Sequence, residues 1–192
     1  MKKYLIMALS AATLIGGAVL FADDDERYEK RVYEHSKTNM QTNTPKRALN
    51  EFEKTYQKEC GSCHMAYQPE FLPKRSWNKM MEGLDNHFEV DATLDPKDRK
   101  TILAYLTSNA GDSKYRSKHF SKMSNSVAKD EAPLRISETP YFIKEHRKIP
   151  KRLIEQKEVK SIANCTACHT TADKGIYSER AIKIPNYGRW DD

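Results

Sequence analysis

Cys60-Gly61-Ser62-Cys63-His64 is the stretch on which the reading of this chain turns, and Cys165-Thr166-Ala167-Cys168-His169 repeats its pattern. C-x-x-C-H is the spacing of a c-type haem attachment site. Two cysteine sulfurs one helical turn apart can each form a thioether to one edge of a porphyrin. The histidine that follows then lies under the ring, where its imidazole can bind iron as the proximal ligand. The four cysteines of the chain all fall in these two stretches. Cys60, Cys63, Cys165 and Cys168 are therefore the expected attachment points of two haems, with His64 and His169 as proximal ligands.

Three other uses of paired cysteines fit less well. A thioredoxin-like C-x-x-C sits after a strand, and neither copy has an apolar strand before it. A zinc site made from both pairs needs them closer together, with about 15–20 residues between. Here 101 residues separate Cys63 from Cys165. Two disulfides suit an exported protein, but they leave the histidine after each pair unexplained.

The first 22 residues form a segment of their own. Lys2 and Lys3 are followed by a mostly apolar run from Tyr4 to Leu20, and Ala22 stands before Asp23-Asp24-Asp25. This is the layout of a secretory signal peptide cleaved after Ala22. The run is also long enough to approach a membrane-spanning helix, so an uncleaved segment would anchor the protein. The expected compartment is the bacterial periplasm, reached by export. Without residues 1–22, 170 residues remain, enough for one domain or two small ones.

The chain is very polar, with a mean hydropathy of −0.83. So little apolar surface offsets conformational entropy poorly. Two haems would supply apolar discs for side chains to pack on, and the apoprotein is expected to fold badly. Net charge is +6 over 192 residues. Removing Lys2 and Lys3 leaves 31 basic against 27 acidic side chains, so +4, which ionised haem propionates would lower further. That excess is too small to argue for nucleic acid.

Helix signals recur along the chain. Thr44-Pro45 reads as a helix start, with Ala48, Leu49, Phe52 and Tyr56 forming an apolar face towards the first haem and Cys60 at its end. Met65 to Pro73 carries two prolines and reads as an extended loop. A second helix is expected from Arg75 to Phe88, with Trp77, Met80, Met81, Leu84 and Phe88 as its stripe. His87 lies at the edge of that stripe, and a histidine there is a candidate distal iron ligand. Met80 and Met81 are its rivals, more simply read as core.

Asp95-Pro96 starts a third helix, with Ile102, Leu103 and Leu106 on its face and a stop near Gly111. Asp112 to Pro133 is polar and basic. It marks the boundary between an N-terminal haem half, 23–111, and a C-terminal haem half, 112–192. His119 and Met123, within it, read as surface residues, and so does His35 in the charged stretch from Asp23 to Gln41. Thr139-Pro140 starts a short helix through Tyr141, Phe142 and Ile143 to His146, the candidate distal ligand of the other iron. Ser161 suits the turn into Cys165, and the tail after His169 is expected to wrap the second haem. The two halves do not align outside the five-residue motif.

Beyond the motif, the chain resembles the bacterial periplasmic dihaem cytochromes c of the small DHC type. The resemblance is carried by Cys60 to Tyr67, by Trp77 to Phe88 and by Leu94-Asp95-Pro96. It continues in Arg135 to Phe142 with His146, in the second C-x-x-C-H, and in Tyr177 to Arg180. It implies a mainly α protein, a small two-haem c-type cytochrome of short helices and long loops packed round two covalent haem c groups. It implies a low-potential one-electron carrier rather than an enzyme, with no small-molecule substrate and no nucleic acid. Its expected partners are redox proteins, among them a membrane b-type cytochrome and a small oxygen-binding haem protein. It supports His64 and His169 as proximal ligands and His87 and His146 as distal ones. Proximity in sequence pairs His87 with His64 and His146 with His169, and a crossed pairing stays open. The alternative function is a haem enzyme or gas-binding haem protein with one open axial site.

Overall fold

The computed structural model describes Arg31 and residues 50–114 and 120–190. The signal segment, the Thr44-Pro45 helix start, His35 and His119 lie outside the described residues. The described chain is mainly helical, with one two-stranded hairpin.

Three helices make the protein core of the first half: α1 (Glu51–Cys60), α2 (Lys74–Glu82) and α3 (Pro96–Asn109). Asn50 is extended and caps α1, its side-chain oxygen accepting from the Glu53 amide at 2.8 Å. This is the N-cap geometry that satisfies an otherwise orphaned helical donor. The helix therefore does not run unbroken from Pro45 into Cys60. Phe52, expected on its haem-facing side, points to solvent and is 49% exposed. Tyr56, one turn on, is buried and donates its hydroxyl to the Tyr67 carbonyl.

Tyr56, Leu72, Trp77, Met81, Ile102, Leu106 and Ala110 form one buried cluster. The i, i+4 pairs Trp77/Met81 and Ile102/Leu106 place their side chains on single helix faces. Burying each large side chain stabilises the fold by about 1.5–3 kcal/mol. The Trp77 indole donates to the Pro69 carbonyl at 2.8 Å, so its polar edge is paired inside the core. Asp95 caps α3 as its sequence predicts, accepting from the Lys97 and Asp98 amides. Gly111 follows α3, but as a close approach rather than a left-handed cap. A Cβ there would run into the Glu70 carbonyl oxygen and the Ser124 side chain, and the Gly111 amide donates to the Leu72 carbonyl.

The helix expected from Arg75 to Phe88 stops at Glu82. Gly83 breaks it, its amide folding back to the Met80 carbonyl, and a 3-10 turn over Leu84–Asn86 carries the chain to His87. The stripe spacing continues past the break, which is why periodicity overran it; glycine and the turn formers Asp85 and Asn86 win locally.

The second half is built from shorter pieces: α4 (Ser121–Asn125), α5 (Pro140–His146), α6 (Lys151–Ile154), 3-10 turns, and the hairpin β1 (Lys183–Ile184) with β2 (Gly188–Arg189). Helix α5 follows Thr139-Pro140 as expected, although the Thr139 hydroxyl turns to the Ile136 carbonyl instead of capping the helix. The polar stretch 121–131 is tied to the first half. Arg75 donates through Nε to the Glu131 carbonyl and through Nη2 to the Ala128 carbonyl at 2.6 Å. Met123, expected at the surface, is half-buried against the Thr139 hydroxyl and lines a cavity described below. Among the described residues no helix is long and apolar enough to cross a membrane.

Candidate functional site

Two cavities carry the chemistry-bearing residues. The first has a volume of about 890 Å³ and is lined by Cys60, Cys63, His64 and His87 among mostly apolar neighbours. The second, about 330 Å³, is lined by Cys165, Cys168, His169 and His146. Each thus gathers one C-x-x-C-H stretch and one separate histidine. Ile136, Phe142, Asn164 and Cys165 line both, so the two cavities share a wall.

In the first cavity, α1 ends at Cys60, and the turn that follows presents Cys63 and His64. The His64 Nδ1 lies 2.8 Å from the Met65 carbonyl oxygen. A carbonyl can only accept, so Nδ1 is the donor, which leaves Nε2 as the nitrogen available to a metal. The His64 and His87 rings lie 6.3 Å apart between centroids, inclined by 24°. His87 comes from the loop beyond α2. Burial, then the neighbouring His64, then Arg135, hold its basicity below the ordinary histidine value.

In the second cavity a 3-10 turn over Cys165–Ala167 replaces the helix. Ser161 shapes the approach, its hydroxyl oxygen accepting from the Ala163 amide. His146, the last residue of α5, donates from Nδ1 to the Phe142 carbonyl at 2.8 Å and stacks on the Phe142 ring at 3.8 Å between centroids. Its ring lies 6.2 Å from that of His169, inclined by 66°. The His169 Nδ1 is buried with no hydrogen-bond partner. Burial, reinforced by His146, pushes His169 down to about 4, so its imidazole is neutral at physiological pH. The tail encloses this cavity, with Tyr177, Ile184 and Trp190 among its walls and the Lys183 amide bonded to the Cys168 carbonyl.

The donor set suits haem. A metal–imidazole bond is about 2 Å long, and a ring nitrogen lies about 1 Å from its ring centroid. An iron midway between two axial imidazoles therefore separates their centroids by about 6 Å. Both histidine pairs have that separation, and both members of each pair line the cavity of their own C-x-x-C-H stretch. Burial pushes the Cys60 and Cys165 thiols up to about 11. They are protonated at neutral pH, unlike the low-pKa thiolates of redox-active C-x-x-C sites. Among the described residues no three His, Cys, Asp or Glu side chains converge as a site for a bare ion.

Several residues at these sites have partners that no local pattern in the sequence names. Tyr67 and Gln68, just past the first motif, reach the second half. The Tyr67 hydroxyl donates to the Ala163 carbonyl at 2.9 Å, and the Gln68 amide donates to the Ala172 carbonyl at 3.0 Å. The Tyr177 hydroxyl returns the contact, donating to the Gln68 Oε1 at 2.6 Å. Burial pushes the Tyr67 phenol up to about 12 and raises that of Tyr177 further, so both remain donors. Arg135 lies with its guanidinium carbon 3.9 Å from the centroid of the Phe88 ring, beside His87. These partners are 96 to 109 residues apart in the case of the tyrosine and glutamine bonds, beyond the reach of any local pattern.

Known proteins share this fold. Residues 56–177 match the family described as dihaem cytochrome c. A dihaem cytochrome c from Shewanella baltica is 35% identical, with a TM-score of 0.61 over 74% of this chain and 100% of its own. A dihaem cytochrome c from Rhodobacter sphaeroides is 39% identical, with a TM-score of 0.58 over 68% of this chain and 100% of its own. No match was found among curated proteins. The fold, the two C-x-x-C-H cavities and these likenesses agree: the chain belongs to the dihaem cytochrome c family, with two covalently bound haem c groups and the electron-transport role of that family.

Proposed function

We propose that this protein is a low-potential one-electron carrier whose two irons are each closed on both sides by histidine. Cys60 and Cys63 hold one haem, with His64 as proximal and His87 as distal ligand. Cys165 and Cys168 hold the other, with His169 and His146 in the same roles. The observation that carries this reading is the pair of histidine–histidine separations, 6.3 and 6.2 Å, one in each cavity. Haem iron supplies a one-electron couple. The chain supplies ligands, burial and nearby charge, which together set the potential. Two neutral histidines give a lower potential than a His/Met pair. The Nδ1 bonds of His64 and His146 to backbone carbonyls fix their tautomers and make them stronger ligands. With both axial positions filled by protein, no substrate reaches either metal.

The shared wall at Ile136, Phe142, Asn164 and Cys165 favours transfer between the two haems within one molecule. Partners would dock transiently, over small and polar interfaces. The partners proposed are redox proteins, a membrane b-type cytochrome and a small oxygen-binding haem protein. Residues 1–22 would direct export to the periplasm, where the haems are attached.

The absorption spectrum tests the reading. The oxidised holoprotein is expected to be fully low-spin, the reduced form indifferent to carbon monoxide, and both potentials negative in a spectropotentiometric titration. A high-spin component that binds carbon monoxide would mark an open axial site and move that haem to the enzyme or gas-binding alternative.

A further inference from the structure

The turn that carries His87 is built against the preferences of its own residues. The His87 amide donates to the Val90 carbonyl at 2.8 Å and the Val90 amide to the His87 carbonyl at 3.2 Å, which closes a two-residue reverse turn. Its central residues, Phe88 and Glu89, have φ of 53° and 73°. Turns with two positive φ angles favour Asn-Gly or Asp-Gly, and a bulky aromatic there is an outlier. Such conformations persist only where surrounding structure holds them.

Core burial does not hold this one, because Phe88 is 37% exposed and Val90 60% exposed. Within the loop, Asn86 Oδ1 accepts from the Glu89 amide at 3.2 Å and the Leu84 carbonyl from the Ala92 amide at 2.8 Å. Among the described residues, Arg135 from the other half of the chain contacts the turn from outside. Its guanidinium carbon sits 3.9 Å from the Phe88 ring centroid, and its Nε faces Glu138 at 3.5 Å. The Phe88 ring in turn lies 4.7 Å from the His87 ring, which lies 6.3 Å from that of His64. Arginine stacks on aromatic faces through its planar guanidinium, which lysine cannot reproduce.

We propose that Arg135 is a positioning residue for His87: by stacking on Phe88 it clamps the strained turn and keeps the distal imidazole facing His64. The inference rests on the reading of His64 and His87 as the axial pair. Since the clamp is a surface contact, the first haem is the one that opens when it is lost. The second does not depend on it, because His146 is held by its own helix and by Phe142.

The test uses the holoprotein, with carbon monoxide as the probe of the reduced form. Arg135→Lys keeps the charge and loses the stack; Phe88→Leu keeps the arginine and loses the ring. In each, one haem of the two should gain carbon monoxide binding by at least about tenfold, within the roughly 10–100-fold effect of residues that orient a metal's ligands. The oxidised spectrum should gain a matching high-spin fraction, while the other haem keeps its parent spectrum. Glu89→Gly removes the strain at one position. Added to Arg135→Lys, it should restore much of the low-spin signal, a rescue that a charge effect of Arg135 would not produce. If both single variants stay as unreactive to carbon monoxide as the parent, the clamp is overturned and the axial pair stands. If the parent already binds carbon monoxide at one haem, the bis-histidine reading fails first and the clamp falls with it.

Discussion

The two haem sites use the same five-residue pattern but are held in different ways. The first is attached to a body that packs without it: α1, α2 and α3 close round Tyr56, Leu72, Trp77, Met81, Ile102 and Leu106. Its Cys63 and His64 are exposed, and His87 sits on a surface turn. The second is attached to short elements, a 3-10 turn at Cys165–Ala167, a seven-residue helix and a two-residue-per-strand hairpin. Its buried residues Phe142, Leu153 and Ile184 line the cavity that haem would fill. One haem is thus set on a protein core, and the other replaces one. A motif thus specifies the cofactor and leaves open how much of the fold depends on it.

The largest expected effect follows directly. A holoprotein lacking the second attachment, Cys165→Ala with Cys168→Ala, should lose the cooperative structure of its second half. The corresponding Cys60→Ala with Cys63→Ala should keep α1 to α3 folded. Hydrogen exchange resolves the two. In the first variant, protection should disappear from residues 136–190 and persist over Pro96–Asn109; in the second it should persist over Pro96–Asn109 with only local losses. Equal losses in both variants would abolish the contrast. Protein lacking both haems should melt without a sharp transition, since the polar chain then has only the first core to hold it.

Next in size are the distal ligands. His87→Ala and His146→Ala should each turn one haem high-spin and raise its potential by on the order of 0.1 V, a fraction of the roughly 0.8 V that axial ligands span. The sites should differ in access. In His87→Ala the ligand is lost from a surface loop, and carbon monoxide should bind quickly. In His146→Ala it is lost beside the buried Phe142 ring, and binding should be slower. Stopped-flow rates on the reduced variants check this, and equal rates would remove access as a distinction between the sites.

What could be read in advance follows the same division. Helix α3 is legible because Asp95-Pro96 is a local start signal and Ile102/Leu106 a local spacing, although Gly111 beyond it is no cap. The short helix to His146 was legible for the same reason. The break at Gly83 is hidden by a stripe that keeps its period across it, so the pattern puts His87 on a helix although it lies in a turn. The Thr44-Pro45 signal is stronger in sequence than the cap at Asn50, and helical spacing puts Phe52 inward although it faces solvent. The bonds of Tyr67, Gln68 and Tyr177, and the stack of Arg135 on Phe88, join residues far apart in the chain. No periodicity or spacing rule reports such partners, because they depend on how the halves meet.

Those bonds give the third prediction. Tyr177→Phe leaves the Gln68 Oε1 without its donor at the junction of the halves, and removing one partner of a largely buried hydrogen bond costs about 1–3 kcal/mol. Tyr67→Phe loses the bond to the Ala163 carbonyl and should cost about 1 kcal/mol. Denaturant unfolding of the holoprotein measures both. If the second site is the one that depends on the junction, each variant should lower its haem's unfolding midpoint more than that of the first.

The smallest effect sharpens the contrast from the other side. Asn50→Ala removes the cap of α1, the helix that ends in Cys60. Losing an N-cap costs about 0.5–2 kcal/mol, because the Glu53 amide loses its side-chain acceptor. The first haem should keep its spectrum and potential, because α1 is also held by Tyr56 in the core and by the haem itself. A stability loss of about 1 kcal/mol without a spectral change would show that the first site rests on its core rather than on the geometry of its helix end. A change in the spectrum of that haem would instead make the two sites alike, each governed by the short element that carries its cysteines.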